Sequence, residues 1–226
     1  MSESPSISIK PMAKHHGQFV FILGVLMLLC DLLIANFFWQ QLKLVLIFIL
    51  LISLVLILFG IVKLYEPNQS LILTPYHLQF FHRYGHWQLP WSNIRYISKL
   101  TTSSGLQQTE LPYIGIVLND LQHLIDSISP RLASRLIHEQ RPLLIHSISQ
   151  HLMLTEQAII NFSPYKLANN KLVTGPLAGF LHHTNALYSA LGYHLFIPQN
   201  SLDRDITDFV QLLNQCKRSA VNYQTE

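Results

Sequence analysis

Charge and cysteine are both scarce in this sequence. Only 12% of its 226 residues are Asp, Glu, Lys or Arg, while half are apolar. Such a composition reads as a membrane segment joined to a soluble one, and the apolar excess is concentrated before Tyr65. The two cysteines, Cys30 in an apolar run and Cys216 in an amphipathic stretch, form no Cys-x-x-Cys pair and read as reduced, buried thiols. Reduced thiols fit a cytoplasmic location for the soluble part. From Tyr65 onward 11 Lys/Arg face 10 Asp/Glu with no basic cluster, which argues against a nucleic-acid-binding face. Gly-x-Ser-x-Gly and phosphate-loop motifs are absent, and His138-Glu139 is followed by Gln140-Arg141 rather than completing a His-Glu-x-x-His zinc motif. No internal repeat or low-complexity block is visible.

What is present first is a pair of long apolar runs. Phe19–Phe38 carries one charge, Asp31, and Leu44–Val62 carries none. Each is long enough to cross a hydrocarbon core of about 30 Å at about 1.5 Å per residue. The first run is too long for a signal-peptide core, lacks a small-x-small cleavage site, and is followed at once by the second. The connection Trp39-Gln40-Gln41-Leu42-Lys43 is short, so the two spans are expected as an antiparallel hairpin over residues 18–64. Trp39 and Tyr65 sit where interfacial aromatics belong. Lys10, Lys14 and Lys63, with Arg83, Arg95 and Lys99 beyond, outnumber the loop's Lys43. Positive charge on the outer flanks leads to the expectation of a multi-pass membrane protein with both termini in the cytoplasm. Residues 1–17 are polar and expected to be a disordered tail.

An ionisable residue inside a span can mark a proton or ion path. Asp31, however, shares a helical face with Gly24, Leu28 and Ala35. In a hairpin closing near Gln41 it comes level with Leu51–Ser53, and Gly24 comes near Gly60. Gly24, Asp31, Ser53 and Gly60 are therefore expected as helix-packing residues, since small side chains let two helices approach closely.

After Pro67 the period turns strand-like. Strands are expected at 71–74, 77–84, 87–89, 94–101 and 113–118, with Gly85 in a hairpin turn, a corner at Pro90–Asn93 and a loop at Thr102–Gly105. Ser129-Pro130 reads as N-cap and first residue of a helix to about Gln140, and Pro142 breaks it. Leu143–Met153 is apolar without a clear period. Gly175-Pro176 opens a helix that Gly192 stops, Tyr193–Ile197 is a strand, and Asp203–Lys217 is a last amphipathic helix.

Leu73-Thr74-Pro75-Tyr76-His77-Leu78, Arg83-Tyr84-Gly85 and Leu89-Pro90-Trp91-Ser92-Asn93-Ile94 resemble the opening of bacterial pleckstrin-homology-like domains. Phe196-Ile197-Pro198 and the helix after it resemble their ending. The resemblance implies an α+β membrane protein with an antiparallel pleckstrin-homology-like sheet or barrel in residues 65–226, a helical insertion over about 119–191 and a C-terminal closing helix. The 130–141 and 176–191 helices are expected outside it as a subdomain. The whole chain also resembles an uncharacterised family of gammaproteobacterial inner-membrane proteins.

Ten of the twelve histidines follow Tyr65, yet neither His77, His82 and His86 nor the adjacent His182-His183 shows a ligand spacing. No metal, cofactor or catalytic residue is expected. Asp203, Asp205 and Asp208 offset a helix dipole. Arg131, Arg135 and Arg141 read as a solvated face, the rival being an acidic headgroup or partner. Trp87 and Trp91 read as core and corner. The leading expectation is a membrane-anchored interaction or scaffold module, with the bilayer and a membrane protein as partners and no nucleic acid. The alternatives are a hydrolase with a histidine-based site, favoured if His82, His86 and His182 meet, and a small transporter-associated subunit acting through Asp31.

Overall fold

The computed structural model describes residues 6–11, 17–64, 69–104 and 107–223. The expected break at Glu66–Asn68, the interfacial Tyr65, the loop glycine Gly105, and Lys14 with His15 and His16 lie outside the described residues. The chain divides into two units, Pro11–Asn68 and a second made of Met1–Lys10 with Gln69–Glu226.

The first unit is one long apolar helical segment, α1 (Gly17–Leu64), long and apolar enough to cross a membrane. It is interrupted where a connection is expected: Phe38 (φ −119°, ψ 15°) and Leu42 (φ −118°, ψ 18°) leave helical geometry. The arms on either side lie against each other. A Cβ added at Gly60 would come 2.6 Å from the Phe21 Cα, and one at Gly24 would come 2.9 Å from the Ile57 nitrogen. Gly24 thus faces Leu56 and Ile57 rather than Gly60, because the turn is centred between Phe38 and Leu42, slightly before Gln41. The buried residues of the segment are Gly17, Gly24 and Asp31 on one arm and Leu46, Ser53 and Gly60 on the other. Both sets recur at heptad spacing, the repeat that keeps one seam facing a neighbouring helix over several turns.

In the second unit part of the expected tail, residues 7–9, is a strand. β1 (Ile7–Ile9) pairs antiparallel with β2 (Leu71–Leu73), and Ile9 is buried in the core. β3 (His77–His82) and β4 (Gly85–Pro90) complete a four-stranded antiparallel sheet in the order β1-β2-β3-β4. The β3–β4 hairpin turns at Gly85, whose φ of +143° suits glycine, and stacks Trp87 on Phe80 at 5.3 Å. A 3-10 turn at Trp91–Asn93 then carries the chain into a second sheet. There β5 (Ile94–Ser104) and β6 (Gln107–Leu118) form a long hairpin, and β9 (Leu195–Pro198) joins β6. The Trp91 indole donates to the Thr74 carbonyl at 2.8 Å, fixing the corner.

The two sheets do not close into a barrel, which corrects the barrel expectation. The outer edge of β4 is met by a side chain instead of a strand. The Ser127 hydroxyl accepts from the Gln88 amide at 3.1 Å and is 2.9 Å from its carbonyl. Ser127 ends α2 (Gln122–Ser127), and α3 (Pro130–Glu139) follows with Ser129 capping it by accepting from the Leu132 amide. Pro142 falls in the first turn of α4 (Arg141–Ser149), which settles Leu143–Met153 as mostly helical. A small hairpin of β7 (Tyr165–Lys166) and β8 (Leu172–Val173) leads to α5 (Pro176–Leu191), stopped by left-handed Gly192. α6 (Ile206–Tyr223) starts later and runs longer than expected, because Asp205 accepts from the Thr207 amide while Asp203 is taken by Arg204. Phe209 and Leu213 of α6 are fully buried, and Lys217 donates to the Arg95 carbonyl on β5.

The helices between 119 and 191 are not an outer subdomain. Leu132 and Ala133 of α3 and Phe180 and Leu181 of α5 belong to the same core cluster as Trp87, Trp91 and Ile114 of the sheets. Short sheets of this size cannot bury an inner face alone, and these helices supply the apolar cover.

Candidate functional site

The polar residues of the fold are mostly structural clamps. Asn93 is buried; its amide nitrogen donates to the Asp120 carbonyl and its oxygen accepts from the Asp120 amide, at 2.8 and 2.9 Å. His194 stacks on Tyr188 at 4.0 Å and accepts from the Leu118 amide through Nδ1. Burial pushes its imidazole down to about 4.

His82, Tyr84, Arg135 and Glu139 make a joint between the β3–β4 hairpin and α3. Arg135 Nε donates to Glu139 at 2.7 Å and its guanidinium lies over the Tyr84 ring at 5.3 Å; His82 Nε2 is 3.5 Å from Glu139. Burial alone would raise the Glu139 carboxyl, but the bonds and charges of His82 and Arg135 outweigh it and hold it below the usual range. Arg135 is therefore spent on this joint, whereas Arg131 and Arg141 are exposed.

The sequence-predicted histidines do not meet. His82 pairs across β3–β4 with Gly85 and His86 with Phe81, so the two lie on opposite faces. His182 is elsewhere, edge-on to Tyr165. Among the described residues no group of three or more His, Cys, Asp or Glu could hold a metal. His182 Nε2 lies 3.3 Å from the Ser163 hydroxyl and 3.1 Å from the Ser163 carbonyl. A carbonyl only accepts, so in this arrangement the nitrogen carries the proton and cannot take one from Ser163. In α1, Asp31 is 3% exposed and its Oδ1 has no hydrogen-bond partner among the described residues, while the Ser53 hydroxyl donates to the Leu50 carbonyl.

The face that remains lies along α5 and the segment 150–164. α4 ends at Ser149, and two residues on His151 takes a left-handed φ of 56°. Met153 then plugs the chain into a small core with Leu143, Leu144 and Leu187. A 3-10 turn follows at Thr155–Ala158, and the Gln157 side chain accepts from the Leu154 amide. At the far end the Phe162 ring lies so close to Gly179 that a Cβ there would overlap it, at 2.6 Å. Between these pins, Glu156, Asn161, His182 and Asn185, among others, line an open cavity of about 270 Å³. His183, at its inner wall, is buried; its Nε2 lies 3.1 Å from the Gln140 oxygen. Burial, helped by nearby His138, pushes His183 down to about 4, so its ring is a neutral donor. The outward side chains here are apolar and open: Leu154 is 66% exposed, Ile159 69% and, beside its contact with Gly179, Phe162 55%. Periodicity could not show this, because an apolar residue in an irregular segment reads the same exposed or buried.

The geometry defines an α+β domain attached to a long apolar helical segment, with an open, partly apolar face on α5. Over residues 71–219 the chain matches the family described as "Protein of unknown function (DUF2982)", and it belongs to that family. The match takes in the helical stretch 119–191 and names neither a pleckstrin-homology-like nor a membrane family. No curated protein and no solved structure matches the chain.

Proposed function

We propose that the protein is a membrane-anchored interaction module. In this reading Gly17–Leu64 crosses the inner membrane twice as a helical hairpin, both flanks lie in the cytoplasm, and the α5 face binds a protein or lipid there. The carrying observation is the run of open apolar side chains at Leu154, Ile159 and Phe162, held out by the Met153 and Phe162–Gly179 pins. Exposed apolar patches of this kind mark interaction surfaces, because leaving them in water costs roughly 25 cal/mol per Å². The heptad seam of small residues in α1 supports a hairpin, and Lys10 and Lys63 on its outer flanks support the orientation. Two antiparallel sheets joined at Trp91, with α6 over β5, support kinship with pleckstrin-homology-like domains in the order of their strands, without the closed barrel. The test is photo-crosslinking in native membranes from a crosslinking residue at Ile159 of the full chain. A discrete adduct is expected there and not at Asp208, an exposed acid on α6. The same background from both positions would overturn the reading.

A further inference from the structure

We infer that the segment Gln150–Pro164 is a lipid-contacting loop, dipping Leu154, Ile159 and Phe162 into the interface of a bilayer that carries anionic headgroups. This rests on the anchor reading above and names the partner. Three observations favour lipid over a protein groove. First, the exposed tips are aliphatic or Phe, and the loop holds neither Trp nor Arg, the residues that most often anchor protein interfaces. Its only formal charge is Glu156. Between the tips stand Thr155, Gln157 and Asn161, whose hydroxyl and amide groups suit headgroup depth, where water still reaches the backbone of an irregular loop. Secondly, the cations that flank the loop in sequence have the complementary sign. Arg141 at the start of α4 and Lys166 on β7 are exposed and form no ion pair among the described residues. Cations of this kind near a membrane surface are attracted to anionic lipid. Thirdly, the tether is short. Residues 65–70 can extend at most roughly 20 Å at about 3.3–3.6 Å per residue, so a bilayer is within constant reach of the domain.

The cavity behind the tips gives the loop a polar floor. A headgroup entering between Asn161 and Asn185 would meet amide donors and the His182 ring, while its acyl chains lay along Ile159 and Ile160. Polar group inward and chain outward is the arrangement an interfacial amphiphile requires.

The experiment uses the full chain with Cys30→Ser and Cys216→Ser. A single cysteine is placed by Leu154→Cys, Ile159→Cys or, as reference, Asp208→Cys, and each is labelled with an environment-sensitive fluorophore. The proteins are reconstituted in phosphatidylethanolamine–phosphatidylglycerol vesicles carrying a nitroxide-labelled lipid. The expected result is a blue shift and severalfold stronger quenching at 154 and 159 than at 208. Carbonate washing of the same vesicles tests the anchor separately. Protein that stays in the vesicles with equal quenching at all three sites overturns the loop contact while sparing the anchor. Protein stripped by carbonate, yet quenched at 154 and 159 when rebound to vesicles, overturns the anchor and leaves the contact standing. Labels left wet in pure lipid but shielded from an aqueous quencher in native membranes assign the face to a protein and overturn the lipid contact.

Discussion

The carbonyl of Ile9 accepts a hydrogen bond from the Ser70 amide at 2.9 Å, across a stretch of chain that includes the whole of α1. The chain before and the chain after the apolar segment are thereby joined in one sheet, with Ile9 opposite Leu71 and Ile7 opposite Leu73. Any membrane crossed by α1 must leave both ends on one side for this pairing to form. The pairing requires fusions before Met1 and after Glu226 to report alike; with the cytoplasmic orientation proposed above, a reporter active only in the periplasm is expected to be silent at both. Activity at one end alone would mean that β1 and β2 do not pair in the cell.

The heptad seam of α1 makes a contrast between isosteric and bulky changes. Gly60 has the Phe21 backbone against it, so Gly60→Leu has no flexible neighbour to displace and is expected to separate the arms. Asp31→Asn keeps the shape of a buried side chain and is expected to leave assembly intact. Yield and thermal aggregation of the detergent-solubilised protein compare the two. Equal loss from both variants would assign Asp31 a role beyond packing.

Much of the fold was legible because its signals are local. Ser129-Pro130 caps a helix by chemistry contained in four residues, Gly192 stops one by its own backbone freedom, and Trp91 marks a corner. What escaped is non-local. The three residues of β1 carry little periodicity, and their partner lies beyond α1. The open barrel depends on Ser127 reaching Gln88, a contact that neither residue announces. Gln140 and His183 pair across two helices, and nothing in either neighbourhood marks them. The candidate face escaped for a different reason: exposure of Leu154 and Ile159 depends on where Met153 is pinned.

Asn93 offers a direct measure of the corner. Its side chain closes a two-way clamp on Asp120, and its carbonyl accepts from the Asn119 amide. Asn93→Ala leaves the Asp120 amide and carbonyl without those partners. A loss of about 1–3 kcal/mol is expected, the cost of stranding part-buried backbone groups. Asn93→Asp keeps the acceptor but sets a carboxylate oxygen against the Asp120 carbonyl and buries a charge, so it is expected to be no more stable than Asn93→Ala. Chemical denaturation of the full chain in detergent reads both, and an Asn93→Ala variant as stable as the parent would show that water replaces the clamp.

The buried histidines make stability depend on pH in a defined window. His183 and His194 are both pushed by burial from about 6.5 in the unfolded chain down to about 4 in the fold. Between those values the unfolded chain binds protons that the folded one refuses. Stability is then complete above pH 6.5 and declines as pH falls toward 4, with a slope of up to about 1.4 kcal/mol per pH unit for each residue. Below 4 the folded rings protonate as well and this contribution flattens. The hydrogen bonds fit the direction: Nδ1 of His194 accepts from the Leu118 amide, which a protonated ring could not do. His183 sits against the neutral Gln140 amide and has no carboxylate among its described partners to hold a proton in place. Glu139 adds the same sign, since its carboxyl lies below its ordinary value and loses its bonds to His82 and Arg135 on protonation. The joint can be separated by mutation. His194→Gln is expected to shallow the slope between pH 6.5 and 4 while leaving the high-pH side flat, whereas Glu139→Gln is expected to lower stability at neutral pH as well. Urea midpoints of the full chain, taken from pH 8 to pH 4, measure both. A His194→Gln profile parallel to that of the parent would show that the ring is already free to charge in the folded protein.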